Sequence, residues 1–84
     1  MTDLEITLLC AEAMGYKPGE HYHWRPLHDD AQAMALVKKF RLNIHAHDEQ
    51  WKVEEWGDDG AMALHETLNR AICECVAKMQ AAKK

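Results

Sequence analysis

Residues 59–84 read DGAMALHETLNRAICECVAKMQAAKK, with no proline and no glycine after Gly60. Apolar side chains recur along this stretch at steps of three and four residues, which is the spacing of one helical face. The side chains with this spacing are Leu64, Leu68, Ala71, Ile72, Cys75 and Met79. The stretch therefore predicts one long C-terminal helix, and the rest of the chain must supply the surface that this helix covers.

A first helix is predicted from Thr2 to Met14. Thr2 and Glu5 have the spacing of a capping box, and Gly15 offers the left-handed residue at which helices commonly end. Apolar residues lie on two opposite faces of this helix: Ile6, Leu9, Cys10 and Ala13 on one, and Leu4, Leu8 and Ala11 on the other. Because both faces are apolar, we expect both to be covered, the second by a loop or by another subunit.

A second helix is predicted to begin at Asp29 or Asp30 and to end near Arg41, since aspartate is a favoured N-cap residue. Its single apolar face consists of Ala33, Leu36, Val37 and Phe40. The segment before it is irregular, but residues 21–24 alternate in polarity and are consistent with a short edge strand.

Between Leu42 and Trp56 the apolar period changes from 3.6 to 2, which predicts a β-hairpin. A turn at Asp48-Glu49 places Ile44 opposite Val53 and Ala46 opposite Trp51. The opposite face of the hairpin then carries Asn43, His45, His47, Gln50, Lys52 and Glu54. Asp-Glu is not a preferred two-residue turn, so a longer loop is equally consistent with the pattern.

These elements predict one small α+β domain spanning residues 1–84, in the order helix, short strand, helix, strand, strand, helix. Helices are expected to pack on one face of the antiparallel hairpin, because a lone hairpin is marginally stable in water. A core of this size usually contributes only about 3–5 kcal/mol, so a homodimer or a docked partner would add useful stability.

The three cysteines indicate a reducing compartment. Cys73 and Cys75 are two residues apart on a helix and cannot pair, which leaves an odd set of thiols. Cys10 and Cys75 are expected in the core, and Cys73 is expected on the solvent side. No apolar run reaches the ~18 residues of a membrane span and no signal peptide is recognisable, so we expect a cytoplasmic protein.

The net charge of −4 comes from one segment, since residues 48–59 hold six acids and one base. Without a basic patch, direct binding to nucleic acid is disfavoured. Trp56, in the polar phase beside acidic residues, is consistent with a contact site for a basic protein partner, and equally with a core tryptophan whose phase is shifted by a bulge. The residues predicted to bind this partner are Asp48, Glu49, Glu54, Glu55, Trp56, Asp58 and Asp59.

The sequence carries no phosphate-binding loop, no nucleophile elbow and no complete His-Glu-x-x-His motif, so no catalytic residue and no cofactor is predicted. Two His-x-His pairs form a weak alternative as a zinc site, with His21, His23, His45 and His47 as ligands. Exposed polar residues on a solvated sheet face explain the same pairs more simply. A further alternative is an oligomer that holds a cyclic nucleotide between subunits through Lys17, Trp24 and Arg25.

Several short motifs resemble small phage and prophage proteins of the NinX-like and phage ABA sandwich families. These motifs are residues 9–16 (LCAEAMGY) with the Trp-Pro loop after them, the helix that begins at the double aspartate, Trp51 on the hairpin, and residues 68–71 (LNRA). The His-rich loop and the acidic segment 48–59 depart from the family pattern.

The resemblance implies a phage accessory protein on a helix–sheet–helix scaffold, without agreed catalytic residues. Phage chains of this size often act by binding. The function it implies is counter-defence in the host cytoplasm, as in an anti-CRISPR protein that docks on a bacterial defence complex through its acidic hairpin. Sequestration of a cyclic nucleotide signal is the alternative.

Overall fold

The structure, a computed structural model, describes residues 1–17, 23–57 and 60–83. Within these ranges the chain forms α1 (Asp3–Ala13), α2 (Asp30–Phe40), β1 (Asn43–His47), β2 (Gln50–Glu54), β3 (Met62–His65) and α3 (Leu68–Ala82). The strands form one antiparallel sheet in the order β1-β2-β3. The prediction of a small α+β domain is confirmed.

Helix α3 is the centre of the molecule. It contacts α1 and α2 on one side and strands β2 and β3 on the other. Because it is covered from several directions, it buries more than one stripe of side chains. Six of its residues are fully buried: Ala71, Ile72, Cys73, Cys75, Val76 and Ala77. The part of the predicted apolar face from Leu68 to Met79 lies within this helix, and the main contacts of α1 and α2 are with α3.

The last helix begins later than predicted, at Leu68, because residues Met62–His65 form the strand β3. Ala63 is buried opposite Val53, while Met62 and Leu64 point to the other side of the sheet. Leu64 is therefore not part of the helical stripe. No glycine or proline separates the strand from the helix. Because the apolar residues here are closely spaced, their spacing fitted a helix as well as a strand.

Cys73 lies in the core, and its prediction as a solvent-facing residue was wrong. The side of α3 that carries Cys73 faces α1, where the Cys10 thiol donates a hydrogen bond to the Cys73 carbonyl at 3.4 Å. The apolar periodicity of the sequence identified one buried face of α3, but the fold also buries the face that carries Cys73.

The first helix has the predicted boundaries. Glu5 N donates to Thr2 Oγ1 at 3.1 Å and the Glu5 carboxylate accepts from Thr2 N, which completes the capping box. Gly15 adopts the left-handed conformation with φ of 84° after the last turn. On the second apolar face, Leu4 and Leu8 are exposed, so no described part of this chain covers them.

The second helix is also confirmed. Asp29 is its N-cap and accepts from Gln32 N at 3.0 Å, and the helix ends at Arg41 with a φ of 53°. Of the preceding segment 21–24, His21 and Tyr22 lie outside the described residues. His23 and Trp24 are described and are not in a strand.

The hairpin has the predicted register, with Ile44 opposite Val53 and Ala46 opposite Trp51. The turn contains only Asp48 and Glu49, so the longer loop is ruled out. Asp48 has a φ of 56° and Glu49 does not have a positive φ, so the turn is not of type I′, which needs a positive φ at both residues. Aspartate tolerates this backbone conformation better than most residues.

Candidate protein-binding surface

The sheet has one face against α3 and one face turned to solvent. We call the second the outer sheet face; its residues are Asn43, His45, His47, Gln50, Lys52, Glu54, Met62 and Leu64. The first six were predicted from the sequence to share this face, and they do. Met62 and Leu64 were missed because they had been assigned to the last helix. Residues 61–64 are all apolar, so no alternation of polar and apolar side chains in the sequence marks this strand.

Three polar side chains form a small cluster at the middle of the outer sheet face. His45 Nε2 lies 3.2 Å from Glu54 Oε1, and Lys52 Nζ lies 3.7 Å from Glu54 Oε2. All three side chains remain at least partly exposed, so these pairs contribute little to folding stability, about 0–1 kcal/mol each. The cluster is therefore accessible to a partner.

Apolar side chains adjoin this cluster. Met62 is 40% exposed and Leu64 is 39% exposed, opposite Glu54 and Lys52 respectively. Trp56 follows two residues after Glu54 and is 71% exposed. Large apolar side chains that stay exposed beside charged groups are a feature of protein-binding sites.

The predicted acidic residues do not form one patch. Asp48 and Glu49 lie at the hairpin turn, whereas Glu54 and Glu55 lie at the opposite end of β2, roughly 17 Å away at the usual rise of a strand. Asp58 and Asp59 lie outside the described residues. Of the predicted site, Glu54 lies on the outer sheet face, and Trp56 is exposed two residues after it.

Glu55 has a structural role in the loop after β2. Its Oε1 accepts from Ala61 N at 2.8 Å, and its own N donates to the Ala61 carbonyl at 3.1 Å. Gly60 packs so closely here that a Cβ atom would clash with Glu55 Cγ. Glu55 thus links the end of β2 to the residue before β3, and its carboxylate is already hydrogen-bonded within the chain.

The three cysteines are free and buried. The Cys73 side chain, together with burial, raises the pKa of Cys10 far above its ordinary value. Burial, and then the charge of Glu55, raises the pKa of Cys75 to about 11. Both thiols are therefore protonated at neutral pH, the opposite of what a nucleophilic cysteine requires.

Three of the four histidines predicted as alternative zinc ligands lie within the described residues. His45 and His47 are on the outer sheet face, and His47 Nδ1 lies 3.8 Å from Asp48 Oδ2. His23 is exposed in a turn, and His21 lies outside the described residues. Within residues 1–17, 23–57 and 60–83, no group of three or more His, Cys, Asp or Glu side chains could hold a metal ion.

Trp24, which the sequence offered as a nucleotide contact, packs against the protein. Its Nε1 donates to the Thr7 carbonyl at 3.1 Å, and its ring meets Tyr16 edge-on at 5.1 Å. The backbone N of Arg25 donates to Gln32 Oε1 at 2.6 Å, which fastens this loop to α2. The Arg25 side chain is exposed, as is Lys17. Trp24 therefore anchors the loop to α1.

Comparison with protein-family models, with curated proteins and with solved structures gives no match. The resemblance to NinX-like and phage ABA sandwich proteins therefore stays a prediction. The class that the fold and the surface define is a small α+β domain with a three-stranded antiparallel sheet open on one face. Among the described residues, no helix is both long and apolar enough to cross a membrane.

Proposed function

We propose that this chain is a non-enzymatic binding domain that docks on another protein through the outer sheet face and Trp56. The observation that carries the proposal is the exposure of Met62 and Leu64 beside the Glu54 cluster, together with the exposure of Trp56 two residues after Glu54. Tryptophan is among the residues that dominate interface free energies, because it buries a large apolar area with little loss of side-chain freedom.

The partner that suits this surface is basic. The chain carries a net charge of −4, and acids occupy both ends of β2. Such a distribution accelerates association with a basic surface and disfavours nucleic acid. Because Glu54 already meets His45 and Lys52, we expect the charges to set orientation and association rate, and the apolar side chains to contribute most of the affinity.

The biological setting that we propose is counter-defence by a phage in the cytoplasm of its bacterial host. This setting rests on the sequence resemblance to small phage proteins. In it, the domain inhibits a defence complex, as an anti-CRISPR protein does, by occupying a basic channel that otherwise binds nucleic acid. A homodimer is compatible with this role.

A plaque assay tests the proposal. Phage plated on a host with an active defence system should form more plaques when the host expresses the chain, and Trp56→Ala should remove the protection. Leu4→Ala is the matched control, because Leu4 is an equally exposed apolar residue on α1. Equal protection by Trp56→Ala and the unchanged chain would contradict the proposed surface.

Salt dependence of partner capture is a second test. Raising the salt to about 0.5 M shortens the Debye length to roughly 4 Å, which weakens charge steering. Capture of the partner should fall in high salt and after Glu54→Gln. Undiminished capture under both conditions would argue against a basic partner.

Sequestration of a cyclic nucleotide by an oligomer is the alternative, with Lys17, Trp24 and Arg25 as contacts. It has less support, because Trp24 is committed to Thr7 and Tyr16. Thermal-shift measurements with a panel of cyclic nucleotides distinguish the two functions, since only the alternative expects a stabilised protein.

A further inference from the structure

Among the described residues, strand β1 is at one edge of the sheet, and its outward hydrogen-bonding groups can be assigned from the hairpin register. In a two-residue hairpin the residues that flank the turn, His47 and Gln50, form a hydrogen-bonded pair. Pairing then alternates along the ladder, so His45 and Asn43 also bond to β2. The N–H and C=O groups of Ile44 and Ala46 consequently point away from the sheet.

Contacts at the other edge of the sheet agree with this assignment. The same alternation turns the Met62 carbonyl outward from β3, and there Lys78 Nζ donates to it at 2.8 Å. A lysine over a strand edge is one of the devices that prevent pairing with another chain. The β3 edge is therefore guarded by α3.

The part of the chain that the structure describes gives the β1 edge no such protection. Its five residues include no lysine, no proline and no bulge, and the register to β2 is unbroken. Among the described residues, none forms a hydrogen bond with the outward groups of Ile44 or Ala46. Unpaired backbone groups on a flat edge are a template for a further strand.

We propose that two copies of this chain pair antiparallel through β1, giving one continuous sheet with three strands from each copy. The two-fold axis passes through His45, because this register alone pairs all five residues of both strands. Ile44 then bonds with Ala46 of the second copy, and Ala46 with its Ile44. His45 lies opposite its own equivalent as a non-hydrogen-bonded pair.

The side chains of β1 suit this register. On the helix side of the sheet, Ile44 meets Ala46 of the second copy, so a row of apolar residues continues from Val53 across the junction to Trp51 of that copy. Helix α3 lies on β2 and β3, and in one copy Ala46 is exposed and Trp51 is 37% exposed. Because β1 contains no acid, lysine or arginine, two identical strands meet without repulsion between permanent charges.

Disulfide trapping tests the register. In a His45→Cys variant the two new thiols would lie across the axis with a Cα separation of about 4.5 Å, which a disulfide accepts. Oxidised glutathione, which accepts the two electrons, should convert this variant to a covalent dimer. The native thiols do not compete, since Cys10, Cys73 and Cys75 are buried.

His47→Cys is the matched control, on the same strand and the same face. In the proposed register its two thiols are four residue steps apart, roughly 13 Å, and cannot join. Dimer from His45→Cys alone supports the proposal. No covalent dimer from His45→Cys, or equal amounts from both variants, would overturn it.

Sedimentation of the full chain, over total concentrations from about 1 to 100 μM, tests the pairing itself. Ala46→Pro removes one outward N–H from each copy without removing a bond to β2, so the dimer should weaken about tenfold or more. Ala46→Ser keeps the N–H and should dimerise like the unchanged chain. If Ala46→Pro fails to fold, disulfide trapping decides.

Three results would overturn the proposal: a chain that stays monomeric throughout this range, an Ala46→Pro variant that folds and dimerises normally, or loss of the dimer in Leu8→Asp. The last result would place the interface on the exposed face of α1 instead. The proposal does not depend on the proposed function, because it is tested with the purified chain alone.

Discussion

Helix α3 and the outer sheet face differ in burial, although both belong to the same small domain. Six residues of α3 are fully buried between α1, α2 and the sheet, whereas every side chain of the outer sheet face is at least partly exposed to solvent. The residues of α3 are therefore constrained by packing, and the residues of the outer sheet face are free to be chosen for binding. Substitutions should separate these two roles.

The largest difference is expected between Ile72→Ala in α3 and Leu64→Ala on the outer sheet face. Ile72 is fully buried, so its truncation leaves a cavity and should lower the free energy of unfolding by about 3 kcal/mol. That is a large share of the roughly 4–12 kcal/mol expected for a chain of this length. Urea unfolding followed by circular dichroism measures both variants. Leu64→Ala should lose less than about 1 kcal/mol, and equal losses would remove the distinction between the two regions.

Cys73→Ser tests the buried side of α3 that the sequence misassigned. It places a hydroxyl where a thiol packs against α1, and we expect a loss of about 2 kcal/mol. Cys73→Ala is the control, since it removes the thiol without adding a polar group. A serine variant as stable as the alanine variant would show that this side of α3 reaches water.

Alkaline pH should destabilise the α3 region through Cys75. Its pKa is raised from 9.0 to about 11 on folding, so the folded protein holds the thiol proton more tightly than the unfolded chain does. The stabilisation is therefore complete below pH 9.0 and is lost as the pH rises through about 11. Urea unfolding should give a lower free energy of unfolding at pH 10.5 than at pH 8. The decrease should be smaller in Cys75→Ala. The same pH dependence in both proteins would contradict a role for this thiol.

The smallest effect is expected from Glu54→Gln on the outer sheet face. The contacts of Glu54 with His45 and Lys52 are partly exposed, so the free energy of unfolding should change by less than about 0.5 kcal/mol. Association with a basic partner should nevertheless slow. A destabilisation comparable to that of Cys73→Ser would mean that this cluster supports the fold.

The hairpin illustrates what the sequence could predict. Alternation on both arms agreed in phase, and a one-residue slip would have exposed Val53, so the register followed from local pattern alone. The same pattern identified His45, Lys52 and Glu54 as companions on one face. The capping box at Thr2 was equally local and equally predictable.

Long-range contacts account for what the sequence could not predict. Met62–His65 is a strand because β2 offers it hydrogen bonds, and four residues with mixed apolar spacing do not reveal that on their own. The burial of Cys73 depends on the position of α1, more than sixty residues earlier in the chain. For the same reason Met62 and Leu64 were absent from the predicted binding surface.

The packing of α1 on α3 has a consequence for how the protein is made. Cys10 contacts Cys73, and Arg70 forms an ion pair with Asp3, so the earliest helix meets its main partner only in the final quarter of the chain. A polypeptide emerging from the ribosome must therefore hold Ile6 and Cys10 uncovered until α3 has been synthesised. The hairpin can form before α3 has been synthesised, whereas the contact between α1 and α3 forms later, because it joins residues 63 positions apart.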